Sequence, residues 1–267
     1  MIYFKTYFYA AYEVPFLILN LRESYKHIDK FVICEFNYTH TGVKRDYIWD
    51  QHKGKFPQEL MNKVVYLKID MSKVAKYAYN NEAVIHSINE PYMRGSFVKY
   101  LKMQNEDIVI STDADEIIYG RCYPDLLKTV RQKGAICLTL NQFFYRVNYH
   151  WKSKPFRAPT IAKYRNMKGK FPNQWRYQGQ DYPGLVGCHF SWCMTAKEML
   201  HKMKCYSDSP KYRHLEKLEI LENAIETRTY PFAKRDFDLK IIGMDSKILP
   251  EEMKNMGDTF KHLIYKS

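Results

Sequence analysis

Three observations predict an α/β fold, GT-A-like in outline, with a central, mostly parallel mixed sheet flanked by helices. First, Phe31–Phe36, Val64–Ile69 and Asp107–Ser111 are short, nearly continuous apolar runs, the pattern of parallel strands buried on both faces. Second, helix-patterned segments separate them, so that strand and helix alternate through the first half as in a doubly wound sheet. Third, long β-rich runs replace that alternation after residue 135, which predicts a mixed sheet completing the site.

Ile2–Tyr9 alternates and is rich in aromatics, so it reads as the first strand. Pro15 opens a helix whose Leu17, Leu21, Tyr25 and Ile28 fall on one face. Lys73–Ser87 and Tyr92–Met103 read as helices interrupted by Pro91. Pro124 starts a helix that runs through Gln132, and Gly134 stops it. Ala135–Trp151, Ala158–Tyr164 and Leu185–Met194 are the β-rich runs, followed by helices over Ala196–Met203 and from about Lys211 to Thr227. With no internal repeat or linker, residues 1–267 read as one domain, a nucleotide-binding half (1–134) and an acceptor-side half (135–267).

Composition excludes several classes. A 267-residue chain that is 46% hydrophobic and 27% charged has enough apolar material for a core, which rules out overall disorder. Eleven Gly and eleven Pro are too few for a collagenous or linker-dominated chain. The 23 Tyr suit a site that stacks on rings, although a coding bias toward Tyr and Lys explains them more simply. The net charge of +13 attracts polyanions or phosphorylated substrates, but the basic residues are scattered rather than gathered in a tail. No stretch approaches the ~20 apolar residues of a membrane span, and no leader is visible. The six cysteines form no CxxC pair, which predicts reduced thiols and a cytoplasmic setting.

The chemistry concentrates at Asp113-Ala114-Asp115-Glu116, directly after the Asp107–Ser111 strand. Ligands of open α/β sheets bind beyond the carboxyl ends of the strands. In extended chain Asp113 and Asp115 would point to one side and offer a hard-oxygen site for Mg²⁺ or Mn²⁺, with Glu116 on the other side. His189 lies in a compact Gly187–Cys193 segment, and a core histidine is the plainer reading there. Zinc on Cys188, His189 and Cys193 lacks a fourth ligand at suitable spacing. Asp181, in a Gly-flanked loop, is either a general base or a turn residue. Glu90 and Arg94 form either a helix-start pair or a site pair. The absence of GxGxxG, GxxxxGK[ST] and GxSxG removes the usual dinucleotide, P-loop and α/β-hydrolase enzymes.

Four blocks together resemble glycosyltransferase family 17, which includes the enzyme that adds the bisecting N-acetylglucosamine to N-glycans. They are Phe31–Asn37 with Thr41-Gly42, then Asn89-Glu90 with Arg94, then Ser111–Ile117, then Val186–Cys193. They occur in family order across residues 31 to 193. Cys188 stands where the family usually has Trp, and Ile118 where Pro commonly follows. Animal members carry a membrane anchor and stem not seen in these residues, which points to a bacterial or viral enzyme building another glycan.

The resemblance implies a GT-A-like fold and inverting, metal-dependent transfer of a sugar such as N-acetylglucosamine from a nucleotide-sugar donor, a UDP-sugar, to a glycan or lipid-linked glycan. It implies that Asp113 faces ribose and metal, that Asp115 ligates Mn²⁺ or Mg²⁺, and that His189 completes the shell or contacts the diphosphate. Glu35, Glu90 and Arg94 would line the nucleotide pocket. The general base stays open between Asp181 and Glu116. A metal-dependent nuclease or phosphoesterase, or a non-catalytic glycan- or nucleic-acid-binding module, would use the same features differently. The positive charge is assigned to phosphorylated substrates and a peripheral contact with an anionic membrane at its inner surface, with no nucleic acid expected.

Overall fold

The computed structural model describes residues 1–266. β1 (Ile2–Tyr7), β2 (Lys30–Phe36), β3 (Val64–Ile69) and β4 (Ile108–Ser111) are followed by β5 (Glu116–Ile118), β6 (Ala135–Phe144), β7 (Tyr149–Lys163), β8 (Gln180–Ser191) and β9 (Leu239–Ile241). The described residues place all nine in one sheet, ordered β3-β2-β1-β4-β7-β6-β8-β5, with β9 on β7. The first four are mutually parallel, and the second half is mixed. This is the predicted α/β class.

The buried-strand reading of Phe31–Phe36 follows from its side chains. Phe31 and Ile33 join one apolar cluster, with Phe4, Leu17, Leu21 and Ile110. Val32 and Cys34 join the cluster on the opposite face, with Tyr7, Met93, Phe97 and Trp175. The first face is covered by α1 (Val14–Ser24) and α3 (Tyr123–Lys133), which Gly134 ends at φ 84°. The second is covered around α2 (Glu90–Gly95). A third cluster, rich in Trp and Phe, packs α4 (Ala196–Cys205) and α5 (Leu218–Glu226) over the second half of the sheet.

Several expected elements change. β1 stops at Tyr7, and Phe8 to Ala10 turn away toward α1. Lys73–Ser87 is helical only from Glu82 onward, after a loop. Its loop is held by Asn89, whose amide accepts from the Lys76 N–H at 2.9 Å and donates to the Lys76 carbonyl at 2.7 Å. A helical turn, Glu82–Val84, leads into a π-helical turn, Ile85–Asn89. Pro91 does not interrupt a helix; it lies at the start of α2, directly after the π-helical turn, where the Asn173 amide donates to the His86 carbonyl at 3.2 Å. Tyr92–Met103 shortens to the end of α2 and a 3₁₀ turn. The run Ala135–Trp151 breaks at Tyr145, whose φ of 64° reverses the chain between β6 and β7. The last predicted helix divides into Ser209–Tyr212, a 3₁₀ turn and α5.

Among the described residues, no helix is long and apolar enough to cross a membrane. The strand order reverses between β1 and β4, so the crevice beyond their carboxyl ends is the place this sheet offers a ligand.

Candidate active site

Asp113–Glu116 lies in that crevice, but as a turn rather than extended chain. The Glu116 N–H donates to the Asp113 carbonyl at 3.1 Å, and the Asp113 N–H donates to Glu116 Oε2 at 2.9 Å. Buried Asn20 of α1 holds the turn from beneath, donating to the Ala114 and Glu116 carbonyls at 3.1 and 3.0 Å. Phe190 of β8 donates its N–H to the Asp115 carbonyl at 2.9 Å. The two aspartates therefore engage different partners; both line one cavity, but through a turn rather than through the alternation of extended chain.

Asp113 is braced by two guanidiniums. Arg176 Nη1 lies 2.7 Å from its Oδ2, and Arg94 Nη1 lies 3.3 Å from its Oδ1. Arg94 also bonds Glu90 Oε1 through Nε and Nη2, at 2.9 and 2.7 Å. Arg176 bonds the sealed carboxylate of Glu116. The result is a chain of alternating charge, Glu90–Arg94–Asp113–Arg176–Glu116, in which four members are buried residues and Asp113 is half-buried. Burial would raise the Asp113 carboxyl, but Arg176 and Arg94 outweigh it and hold it well below the usual carboxylate range. Glu90 behaves likewise, pulled down to about 2 against its burial by Arg94, His40 and His86. Glu116 goes the other way: burial dominates and raises it despite Arg176. Beneath the brace, Lys5 is fully buried with an unpartnered ammonium, and burial lowers its pKa to about 8.

Asp115 faces a different group. Lys202 of α4 places Nζ 3.4 Å from Oδ2, and His189 of β8 places Nε2 3.9 Å from Oδ1. The His189 ring faces the Gln142 amide oxygen through Nδ1 at 3.0 Å, which fixes its proton there and leaves Nε2 as an acceptor. Burial keeps the ring neutral, with a pKa lowered to about 4 against the pull of Asp115. Asp115 Oδ1 and His189 Nε2 are therefore two acceptors facing each other with no proton between them. Burial would lower Lys202, but Asp115 and Glu13 outweigh it, so this lysine stays charged. Asp113, Asp115 and His189 line one cavity of about 220 Å³ with Tyr9, Glu13, His40 and Lys202.

The other expected residues separate. Glu116 reaches this cavity, as do Arg94 and Asp113. Glu90 acts from behind Arg94. Glu35 does not line the cavity: it lies on the sheet face of Phe31 and Ile33 and is saturated there. It accepts from the N–H groups of Ile48 and Trp49 at 2.6 and 3.1 Å, and from Arg45 and Tyr66. Asp181 sits near the start of β8, while His189 sits near its end; its side chain is 64% exposed and pairs with Arg157 at 2.7 Å. Arg176, Lys202, Glu13, His40 and Asn20 escaped the sequence reading, because nothing local separates two cations from 42 Lys+Arg.

The model of Glycosyltransferase family 17 matches residues 6–226, most of the chain. The chain belongs to glycosyltransferase family 17. It is a glycosyltransferase, and the matched region holds every residue of the cavity named above. The match carries no indication of source, so the expectation of a bacterial or viral origin gains nothing from it. No curated protein matches the chain.

Two measurements test the brace. Arg176→Gln leaves Glu116 and Asp113 facing each other in low dielectric, and should cost about 3–5 kcal/mol of unfolding free energy by urea titration. For Glu90, the pKa of about 2 against an ordinary 4.5 means stabilisation present above pH 4.5 and lost as pH falls toward 2. The stability gap between wild type and Glu90→Gln should therefore hold constant above that window and narrow within it.

Proposed function

We propose that this family 17 enzyme transfers a sugar, such as N-acetylglucosamine, from a UDP-sugar to a glycan acceptor with inversion, assisted by Mn²⁺ or Mg²⁺. The observation that carries the reading is the pair of facing acceptors, Asp115 Oδ1 and His189 Nε2, beside a charged lysine at the switch point of the sheet. A separation of 3.9 Å between two ligand atoms suits one divalent cation bonded to both, since such bonds are about 2.0–2.1 Å long for Mg²⁺. Gln142 then serves as the partner that orients the ligating histidine. Asp113 is a poor metal ligand in this reading, because both its oxygens are taken by arginines. A bound cation would supply positive charge to the departing diphosphate.

The chain's own residues do the rest. Lys202 binds the diphosphate from α4 and neutralises charge as the bond from the anomeric carbon to the diphosphate oxygen breaks and its electron pair leaves with the diphosphate. The acceptor hydroxyl attacks the opposite face of that carbon and must lose its proton. Neither Asp181, exposed and outside the cavity, nor Glu116, sealed against Arg176, is placed for this. Glu13 is: Oε2 is fixed by the Tyr9 and Ala10 N–H groups at 2.5 and 3.0 Å, which leaves Oε1 for the cavity. Burial raises its pKa, as a base for a weakly acidic hydroxyl requires.

The +13 charge serves the phosphates of the donor and of a lipid-linked acceptor, with peripheral contact at an anionic membrane surface in the cytoplasm. Six free cysteines, four of them buried, suit that compartment.

Asp115→Asn keeps the shape and removes the charge. It should lower turnover by about a hundredfold or more, the scale of losing one electrostatic stabiliser of a transition state. It should also abolish calorimetric Mn²⁺ binding in the presence of UDP, while circular dichroism stays native. A variant with near-normal turnover and Mn²⁺ affinity would contradict the proposed role.

A further inference from the structure

His40 stands in the loop after β2 and lines the cavity, yet its side chain takes no part in the brace or in the Asp115 group. Its backbone is pinned on both sides. The N–H donates to the Cys205 carbonyl at the end of α4 at 3.1 Å, and the carbonyl accepts from Asn89 at 2.8 Å. The ring stands edge-to-face against Tyr7 and Tyr9, with centroids 6.0 and 5.0 Å away. His40 is 5% exposed, and both of its ring nitrogens lack a hydrogen-bond partner.

A buried polar atom without a partner costs free energy, and here there are two on one ring. Phenylalanine would make the same ring contacts without that cost, so packing does not account for an imidazole. A partner arriving in the cavity does. Burial lowers the pKa of His40 to about 4, so at neutral pH the ring is uncharged and presents one donor and one acceptor. Such a ring has nothing special to offer a phosphate, whereas Lys202, beside Asp115, offers an ammonium in the same cavity. What it matches is an uncharged group that both donates and accepts, with an aromatic tyrosine wall beside it.

We propose that His40 reads the uncharged nucleoside part of the donor, hydrogen-bonding either the base edge or a ribose hydroxyl, and so sets nucleotide specificity. The proposal rests on the nucleotide-sugar reading above and assigns an order along the cavity: nucleoside against His40, diphosphate toward Lys202 and Asp115.

The test is calorimetric titration of wild type, His40→Phe and His40→Gln with Mn²⁺ present. The ligands are UDP, CDP, GDP, 2′-deoxy-UDP, 3′-deoxy-UDP and inorganic pyrophosphate, and thermal melts confirm that each variant is folded. His40→Phe, which keeps the ring contacts, should weaken the best-bound nucleoside diphosphate about tenfold and leave pyrophosphate unchanged. It should also level the affinities across the bases, if the contact is to the base, or across the deoxy-sugars, if it is to ribose. His40→Gln, which retains a donor and an acceptor, should recover part of the loss and keeps the test open should the Phe variant misfold. Unchanged affinities, or equal weakening of pyrophosphate and nucleotides, would overturn the role of His40 while leaving the donor reading intact. Failure of wild type to bind any nucleoside diphosphate would overturn the donor reading itself, and this inference with it.

Discussion

The site depends on how Asp113 is held. A carboxylate at the carboxyl end of β4 could stand free in the cavity or be held by the protein, and Arg94 and Arg176 hold Asp113 at the cavity wall by taking one oxygen each. Neither arginine is free to relax, because Glu90 fixes one and Glu116 the other. Burying four ionisable groups beside a half-buried fifth is expensive, and alternation of sign recovers part of that cost. Alternation also ties α2, the loop carrying Arg176 and the turn after β4 into one unit, so the geometry of the turn is set by residues far apart in sequence.

With Asp113 committed, the cavity has two parts. Asp115, His189 and Lys202 form an end where a neutral imidazole and a carboxylate face each other beside an ammonium. His40, Tyr7 and Tyr9 line another part of the cavity, an aromatic wall with Arg94 5.7 Å from the Tyr7 ring. Helix α4 connects them: it supplies Lys202 to the first and, through the Cys205 carbonyl, holds the His40 backbone at the second. The shift of His189 to a neutral ring has burial as its cause, so the packing of β8 between β6 and β5 bears directly on the chemistry available to Asp115.

Much of this was legible in the sequence, and the reasons differ by element. β2, β3 and β4 were readable because strands buried on both faces become unbroken apolar runs, and α3 because Pro and Gly mark its ends. Asp113, Asp115 and His189 were readable as cavity residues, the aspartates from their place after β4 and His189 from the family resemblance. What could not be read was direction. The Asp113–Glu116 turn is fixed by Asn20, a polar residue set among the apolar positions Phe16–Leu21 of α1, and no local pattern connects the two. Glu35 looked like a pocket residue, but strand parity puts it on the face of Phe31 and Ile33, where it holds the Ile48–Trp49 turn. Lys73–Asn81 carries helical composition, but Asn89 holds its backbone at Lys76 from outside, and the chain turns helical only at Glu82. Lone residues such as Arg176 and His40 acquire meaning only from partners supplied by tertiary contact.

The central claim is that the brace on Asp113 leaves Asp115 and His189 as the cation site. Anomalous diffraction from crystals grown with Mn²⁺ and UDP tests it most directly. The account predicts one strong peak within about 2.0–2.3 Å of Asp115 Oδ1 and His189 Nε2, with Asp113 still on Arg94 and Arg176. Among the described residues, the one three-ligand cluster within 4.8 Å is Glu82, His86 and Asp208, where Lys211 now bonds both carboxylates. A peak there instead, or one on Asp113 with the arginines displaced, would contradict the account.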